Sequence, residues 1–127
     1  MKLVLGGYAQ GKLNYAMSKY QLQDPVVFDG VLPDGVPLQG RQAVINHFHQ
    51  WVKNRIAEGG CPEEDLLPLL DAYRDCIIIC DEVGNGIVPA SPAEREYRER
   101  VGRILITLAQ KAEEVERVIC GIGQKLK

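Results

Sequence analysis

Apolar positions along the chain follow two rhythms. Four short, nearly unbroken runs read as buried strands: Leu3 to Leu5, Pro25 to Phe28, Cys76 to Cys80 and Val115 to Cys120. The run CIIIC is continuous and β-branched, as expected for a parallel strand covered on both faces. Between the runs the apolar residues recur at helical spacing. A first helix after Lys12 places Leu13, Ala16, Met17 and Tyr20 on one face. A second is predicted from Arg41 to Glu58, with Val44, Ile45, Phe48, Val52 and Ile56 on its stripe. The segment PEEDLLPLLDAYRD gives a shorter helix that Pro68 should interrupt. The last helix has the clearest start. Ser91 is its cap, Pro92 suits its first turn, and Glu94 completes an S-x-x-E capping box. Its stripe is Tyr97, Val101, Ile104, Leu105, Leu108 and Ala112. Strands alternating with helices predict an α/β layer sandwich with a mainly parallel sheet.

Length and composition narrow the class. The 127 residues suit one domain, 1–127, and no internal boundary interrupts them. A net charge of −2 provides no basic stripe for nucleic acid. Lys and Arg are densest in EREYRERVGR, where interleaved acids make a solvated helix face. No apolar run is long enough to span a membrane, and the N-terminal run stops at Gly6, unlike a secretory leader. A cytoplasmic protein is expected. Cys61, Cys76, Cys80 and Cys120 form no CxxC pair, so reduced and mostly buried thiols are expected. Cys80 and Cys120 each close a strand run, which suggests neighbours in the sheet.

The candidate chemistry begins at Gly6-Gly7-Tyr8-Ala9-Gln10-Gly11-Lys12, which fits the G-x-x-x-x-G-K part of a phosphate-binding loop. Glycines let backbone amides turn inward around an anion, and Lys12 adds a point charge. The following helix aims its positive end at the same place. A plain glycine turn with Lys12 in solvent is the competing reading. Leu13 stands where a hydroxyl would hold Mg²⁺ and has no oxygen to offer, so binding is better supported than turnover. The stretches DGVLPDGVPLQG and EVGNGIVPASP follow strands, at the edge where such folds bind ligands.

A second signature lies at Glu82-Val83-Gly84-Asn85-Gly86-Ile87-Val88-Pro89, followed by Arg95, Tyr97, Arg98, Glu99 and Gly102, and by the tail GIGQKLK. With the opening GGYAQGKL, these residues resemble the bifunctional adenosylcobinamide kinase/adenosylcobinamide-phosphate guanylyltransferases. The resemblance covers roughly the first 20 and last 52 residues. It implies a P-loop NTPase-like three-layer sandwich, often trimeric. It also implies phosphorylation of adenosylcobinamide by GTP or ATP, then transfer of GMP from GTP through a guanylylated histidine, in cobalamin synthesis. The implied nucleotide site is Gly6 to Leu13 with Glu82, and the implied partners are a nucleotide, Mg²⁺, a corrinoid and further copies of the chain.

The departures carry information too. Besides Leu13, Asp81 stands where the family has Asn, and Leu105-Ile106 replace Asn-Gln. The chain is shorter than a typical member, with the missing length in the middle. Two alignments of that middle are open. In one, VVFDGV is the strand ending in an acid, which makes Asp29 the metal-side carboxylate and deletes the strand and helix that bear the histidine. In the other, VINHFHQW approximates the histidine segment, with Phe48 in register between His47 and His49. The interval from Asp29 to Glu82 favours the first. His49, or His47, is the candidate for nucleotidyl transfer, which would need an activated imidazole. On one helix the two rings would point about 200° apart and could not share a metal, so two polar flanks are the plainer reading. Asp81-Glu82 could hold Mg²⁺ and orient water, or could simply shape the loop. Arg95 and Arg98 suit solvent pairs. An exposed Ile104 or Ile106 in RILIT would suit a non-catalytic assembly protein.

Overall fold

The computed structural model describes residues 1–35, 37–82 and 91–127. The elements run β1 (Lys2–Gly6), α1 (Lys12–Lys19), β2 (Val26–Asp29), β3 (Ala43–Asn46), α2 (Phe48–Ala57), α3 (Pro62–Ala72), β4 (Ile77–Asp81), α4 (Pro92–Lys111), β5 (Glu114–Ile119) and β6 (Ile122–Lys125). They build a six-stranded sheet of order β2-β3-β4-β1-β5-β6. All pairings are parallel except the final β5–β6 hairpin.

The period-2 alternation of the central strands divides the core in two. Leu3, Ile45 and Ile78 face one side, where Phe48 and Val52 of α2, Leu66 and Leu69 of α3 and Val101 and Leu108 of α4 cover them. Val4, Val44, Ile77, Ile79 and Val118 face the other, covered by Ala16 of α1. Helix, sheet and helices therefore form three layers, and the expected α/β class is the one observed.

Several expectations change. The helix predicted from Arg41 to Glu58 is a strand followed by a helix: Val44 and Ile45 lie fully buried in β3, and α2 starts at Phe48. His47 makes the break, with a left-handed backbone at φ 52°. The hairpin partner β6 has too little apolar content to announce itself, with Ile122 and Gln124 exposed on either side of Gly123. Cys80 and Cys120 are not sheet neighbours either, because β1 lies between β4 and β5. Cys76 and Cys80 are buried, Cys61 is partly so, and Cys120 is exposed. Burial pushes the Cys76 thiol up to about 11 and Cys80 up to about 12, which makes both poor nucleophiles.

The helix boundaries follow local chemistry. Ser91 Oγ accepts the Glu94 amide at 3.1 Å, as the capping box required. Pro68 does not break α3, because it sits on the exposed face, where the carbonyl that loses its amide partner can meet water. Of the two isoleucines expected at the surface of α4, Ile104 is buried in the core and only Ile106 is exposed.

Candidate functional site at the loop after β1

The site begins with strand register. Gly6, the last residue of β1, lies opposite Asp81 of β4 on one side and Val118 of β5 on the other. A Cβ at Gly6 would stand 2.6 Å from the Val118 carbonyl oxygen, so no side chain fits there. The chain then turns through Ala9 (φ 56°) and Gly11 (φ 79°), and Gly11 becomes the N-cap of α1. Gly11 has no side chain to cap the helix, and no acidic residue occupies the first turn. Among the described residues no side chain caps the amides that open α1, and the helix dipole makes this end positive.

The loop is fastened from beside it. Gln10 accepts the Gly121 amide on its main-chain oxygen at 2.9 Å and the Cys120 amide on Oε1 at 2.7 Å. Tyr8, at the tip, is 85% exposed. Lys12 turns back under the loop. Its methylenes pass against Gly6, and Nζ donates to the Gly7 carbonyl at 2.7 Å and meets Asp81 Oδ1 at 2.6 Å. The side chain is 8% exposed, so the reading that left Lys12 in solvent fails. Leu13 is partly buried and packs against the α1-side core.

Asp81 is the hub. Its Oδ2 lies 3.4 Å from His49 Nε2, and its main-chain amide donates to His49 Nδ1 at 3.2 Å. Because Nδ1 accepts, the neutral ring carries its proton on Nε2, toward the carboxylate. The Tyr97 hydroxyl anchors the same residue through the His49 carbonyl at 3.2 Å. Next to this group, His47 pairs through Nδ1 with Asp29, and Asn46 Nδ2 donates to the same carboxylate oxygen at 3.1 Å. The two imidazoles, predicted to diverge on one helix, instead meet edge to face with centroids 5.8 Å apart. The left-handed turn at His47 causes the difference: it takes that residue out of the helix.

Asp29 ends β2, which β3 and β4 separate from β1, and is 64% exposed. It nevertheless lines a cavity of about 300 Å³ with Tyr8, His47, His49, Gln50 and Asp81. A neighbouring cavity of about 340 Å³ runs along Tyr8 to Asn14 and shares Tyr8, His47 and Asp81 with the first. Glu82 receives Arg117 of β5 in a fork at 2.8 and 3.1 Å, while its amide bonds the Gly6 carbonyl at 2.8 Å. Arg98 pairs with Glu94, and Arg95 is exposed. The Val83 to Pro89 part of the second signature lies outside the described residues.

Burial lowers the His49 pKa from its ordinary value, against the upward pull of Asp81. The unfolded chain then takes up a proton at a higher pH than the fold does. His49 thus contributes stability above about pH 6.5, and that contribution is lost as pH falls through the lowered value. Urea midpoints measured from pH 7.5 to 5 should fall for the parent protein and fall less for His49→Gln. Parallel curves would place the acid sensitivity elsewhere.

A parallel sheet with a glycine loop, and a buried lysine at its carboxyl edge, defines a P-loop-type α/β protein. The family profile described as cobinamide kinase / cobinamide phosphate guanyltransferase matches residues 38–126. The chain belongs to that family. It is 36% identical over 69 residues to the bifunctional adenosylcobalamin biosynthesis protein CobU of Salmonella typhimurium, a match covering 51% of this chain and 38% of the relative. It is 45% identical over 67 residues to the protein of the same name from Escherichia coli, covering 50% and 37%. The match thus spans well under half the length of these relatives. No helix among the described residues is long and apolar enough to cross a membrane.

Mg²⁺, which the family resemblance implies, finds few free ligands here. The Leu13 side chain has no oxygen, Asp81 is engaged by Lys12 and His49, and Asp29 by His47 and Asn46. Among the described residues no three His, Cys, Asp or Glu side chains converge to hold a metal. These residues do not fit a resident metal centre.

Sequence reasoning placed Lys12 and Asp81 in suspicion separately. It missed their contact, which depends on strand order. It also missed the histidine partners, which arrive from the ends of β2 and β4.

Proposed function

We propose that the chain binds a purine nucleoside triphosphate, GTP or ATP, by its phosphates at Gly6 to Lys12. We further propose that it serves as a nucleotide-dependent transferase acting on adenosylcobinamide or its phosphate in cobalamin synthesis. The observation that carries the reading is the buried Lys12 ammonium, held within a glycine loop that opens an acid-free helix start. Such a cup suits anionic oxygen through amide dipoles and one mobile charge. Lys12 would meet the outer phosphates. The adjoining cavity with His47, His49 and Asp29 would receive the acceptor substrate beside them. Glu82, tied to Arg117 and bonded through its amide to the Gly6 carbonyl, would steady the end of β1 from which the loop leaves. Family kinship favours a homo-oligomer, such as a trimer, working in the cytoplasm.

A second reading has its own observation. Leu13 and the committed carboxylates leave metal-assisted phosphoryl transfer without free ligands among the described residues, which favours a nucleotide-binding or assembly protein that has lost turnover. Exposed Ile106 on α4 would then serve a helix-mediated contact.

Calorimetric titration with GTP and ATP, with and without Mg²⁺, separates the readings. Tight, Mg²⁺-dependent binding supports the transferase, whereas weaker Mg²⁺-independent binding supports the binding protein. Absence of binding defeats both nucleotide proposals and leaves only the assembly role. Lys12→Ala should weaken binding by about 10- to 100-fold, the worth of a charge-assisted hydrogen bond. Incubation of labelled GTP with cobinamide then tests transfer directly.

A further inference from the structure

We infer that Asp81 sets the anion affinity of the loop: its carboxylate is an internal counter-ion that an incoming phosphate must displace from Lys12. The inference rests on the reading of the loop as a phosphate site, and assigns a role to a residue that touches the loop from the neighbouring strand.

The carboxylate is placed by the fold rather than by chance. Register puts Asp81 directly opposite Gly6, so its side chain emerges beside the loop. The pair is close, with Nζ 2.6 Å from Oδ1, and well shielded, the two side chains being 8% and 16% exposed. Solvent therefore screens the attraction poorly, unlike that of a surface ion pair.

The two partners differ in freedom. Asp81 is held at three points. Its main chain sits in β4, its Oδ2 faces His49 Nε2, and its amide binds His49 Nδ1. His49 is fixed in turn by Tyr97. Lys12 has a flexible four-carbon stem, and its other bond is to the Gly7 carbonyl inside the same loop. The ammonium is the part that can move. Both of its partners must be exchanged before it can serve a ligand. Until then the pair presents almost no net charge to an approaching anion.

A neutral residue at 81 should release the ammonium for ligand. In calorimetric titration with GTP, Asp81→Asn should bind roughly tenfold or more tightly than the parent, because no internal anion competes. Lys12→Ala and the Lys12→Ala/Asp81→Asn double variant should bind alike, since the effect of Asp81 acts through Lys12. A tightening that persists in the double variant, or its absence from a folded Asp81→Asn protein, overturns the inference. Should Asp81→Asn fail to fold, Asp81→Ser offers the same neutrality at smaller size.

A nucleotide-free measurement distinguishes failure of the counter-ion from failure of the nucleotide site. With a small amine acylating reagent and mass spectrometry, Lys12 should be slow in the parent and several-fold faster in Asp81→Asn or Asp81→Ser. Equal rates refute the counter-ion regardless of any nucleotide result. Faster labelling without GTP binding by any variant retains the counter-ion and removes the nucleotide reading.

Discussion

Gly6→Ala should cost the protein about 3 kcal/mol or more and abolish any binding at the loop. The added methyl would sit 2.6 Å from the Val118 carbonyl oxygen and 3.2–3.3 Å from the Lys12 methylenes. The lysine stem could shift, but the carbonyl belongs to the neighbouring strand and cannot shift without opening the β1–β5 pairing. Either β5 moves away or the loop lifts, and both outcomes displace Lys12 from Asp81. Gly7→Ala is the matched control, because its methyl would meet only Gln10 Cγ at an ordinary 3.7 Å. Thermal melting should separate the pair by roughly 10 °C or more. Similar melting of both variants would show that β5 yields more easily than a packed central strand should.

Phe48→Ala should be comparably damaging, at about 3–5 kcal/mol, as expected for emptying a fully enclosed aromatic site. Phe48 has no exposed surface and packs against Trp51 with ring centroids 5.5 Å apart. It also stands between the two histidines, and its burial is what drives the first turn of α2 against the sheet. Losing it should free His47 and His49 as well as open a cavity. Chemical denaturation should report the stability loss. The imidazole resonances should show the second effect, by converging toward those of solvent-exposed histidine. A variant with near-parental stability would mean that Trp51 and the neighbouring core refill the space.

The same residue shows why part of the site could not be read from the sequence. One of the two open alignments set Phe48 in register with a catalytic histidine, and the apolar spacing of Val44, Ile45, Phe48, Val52 and Ile56 fitted one long helix. A four-residue strand is too short to defeat that periodicity, and a buried run of AVIN looks the same in either conformation. Only the sheet, by offering β3 pairing on both edges, decides the matter. Signals written locally survived intact. The strand CIIIC, the Ser91 cap and the glycine loop all depend on neighbours within a few positions, and each appears where expected. The Lys12–Asp81 contact joins residues 69 positions apart in the chain through strand order, which no local pattern encodes. The same holds for His47 with Asp29 and for Glu82 with Arg117.

The fastening of Gln10 to the β5–β6 turn has a bearing on how the molecule is made. Residues 10 and 120 are separated by 110 positions, yet the loop takes its final shape against that turn. β1 itself is bordered on one side by β5. Until residues 120 and 121 have been made, the loop after β1 therefore lacks the contacts that fasten Gln10, and no earlier intermediate holds them. Closure over such sequence distance is slow by the ordinary entropic reckoning, which makes the fastening of this loop a late event in folding.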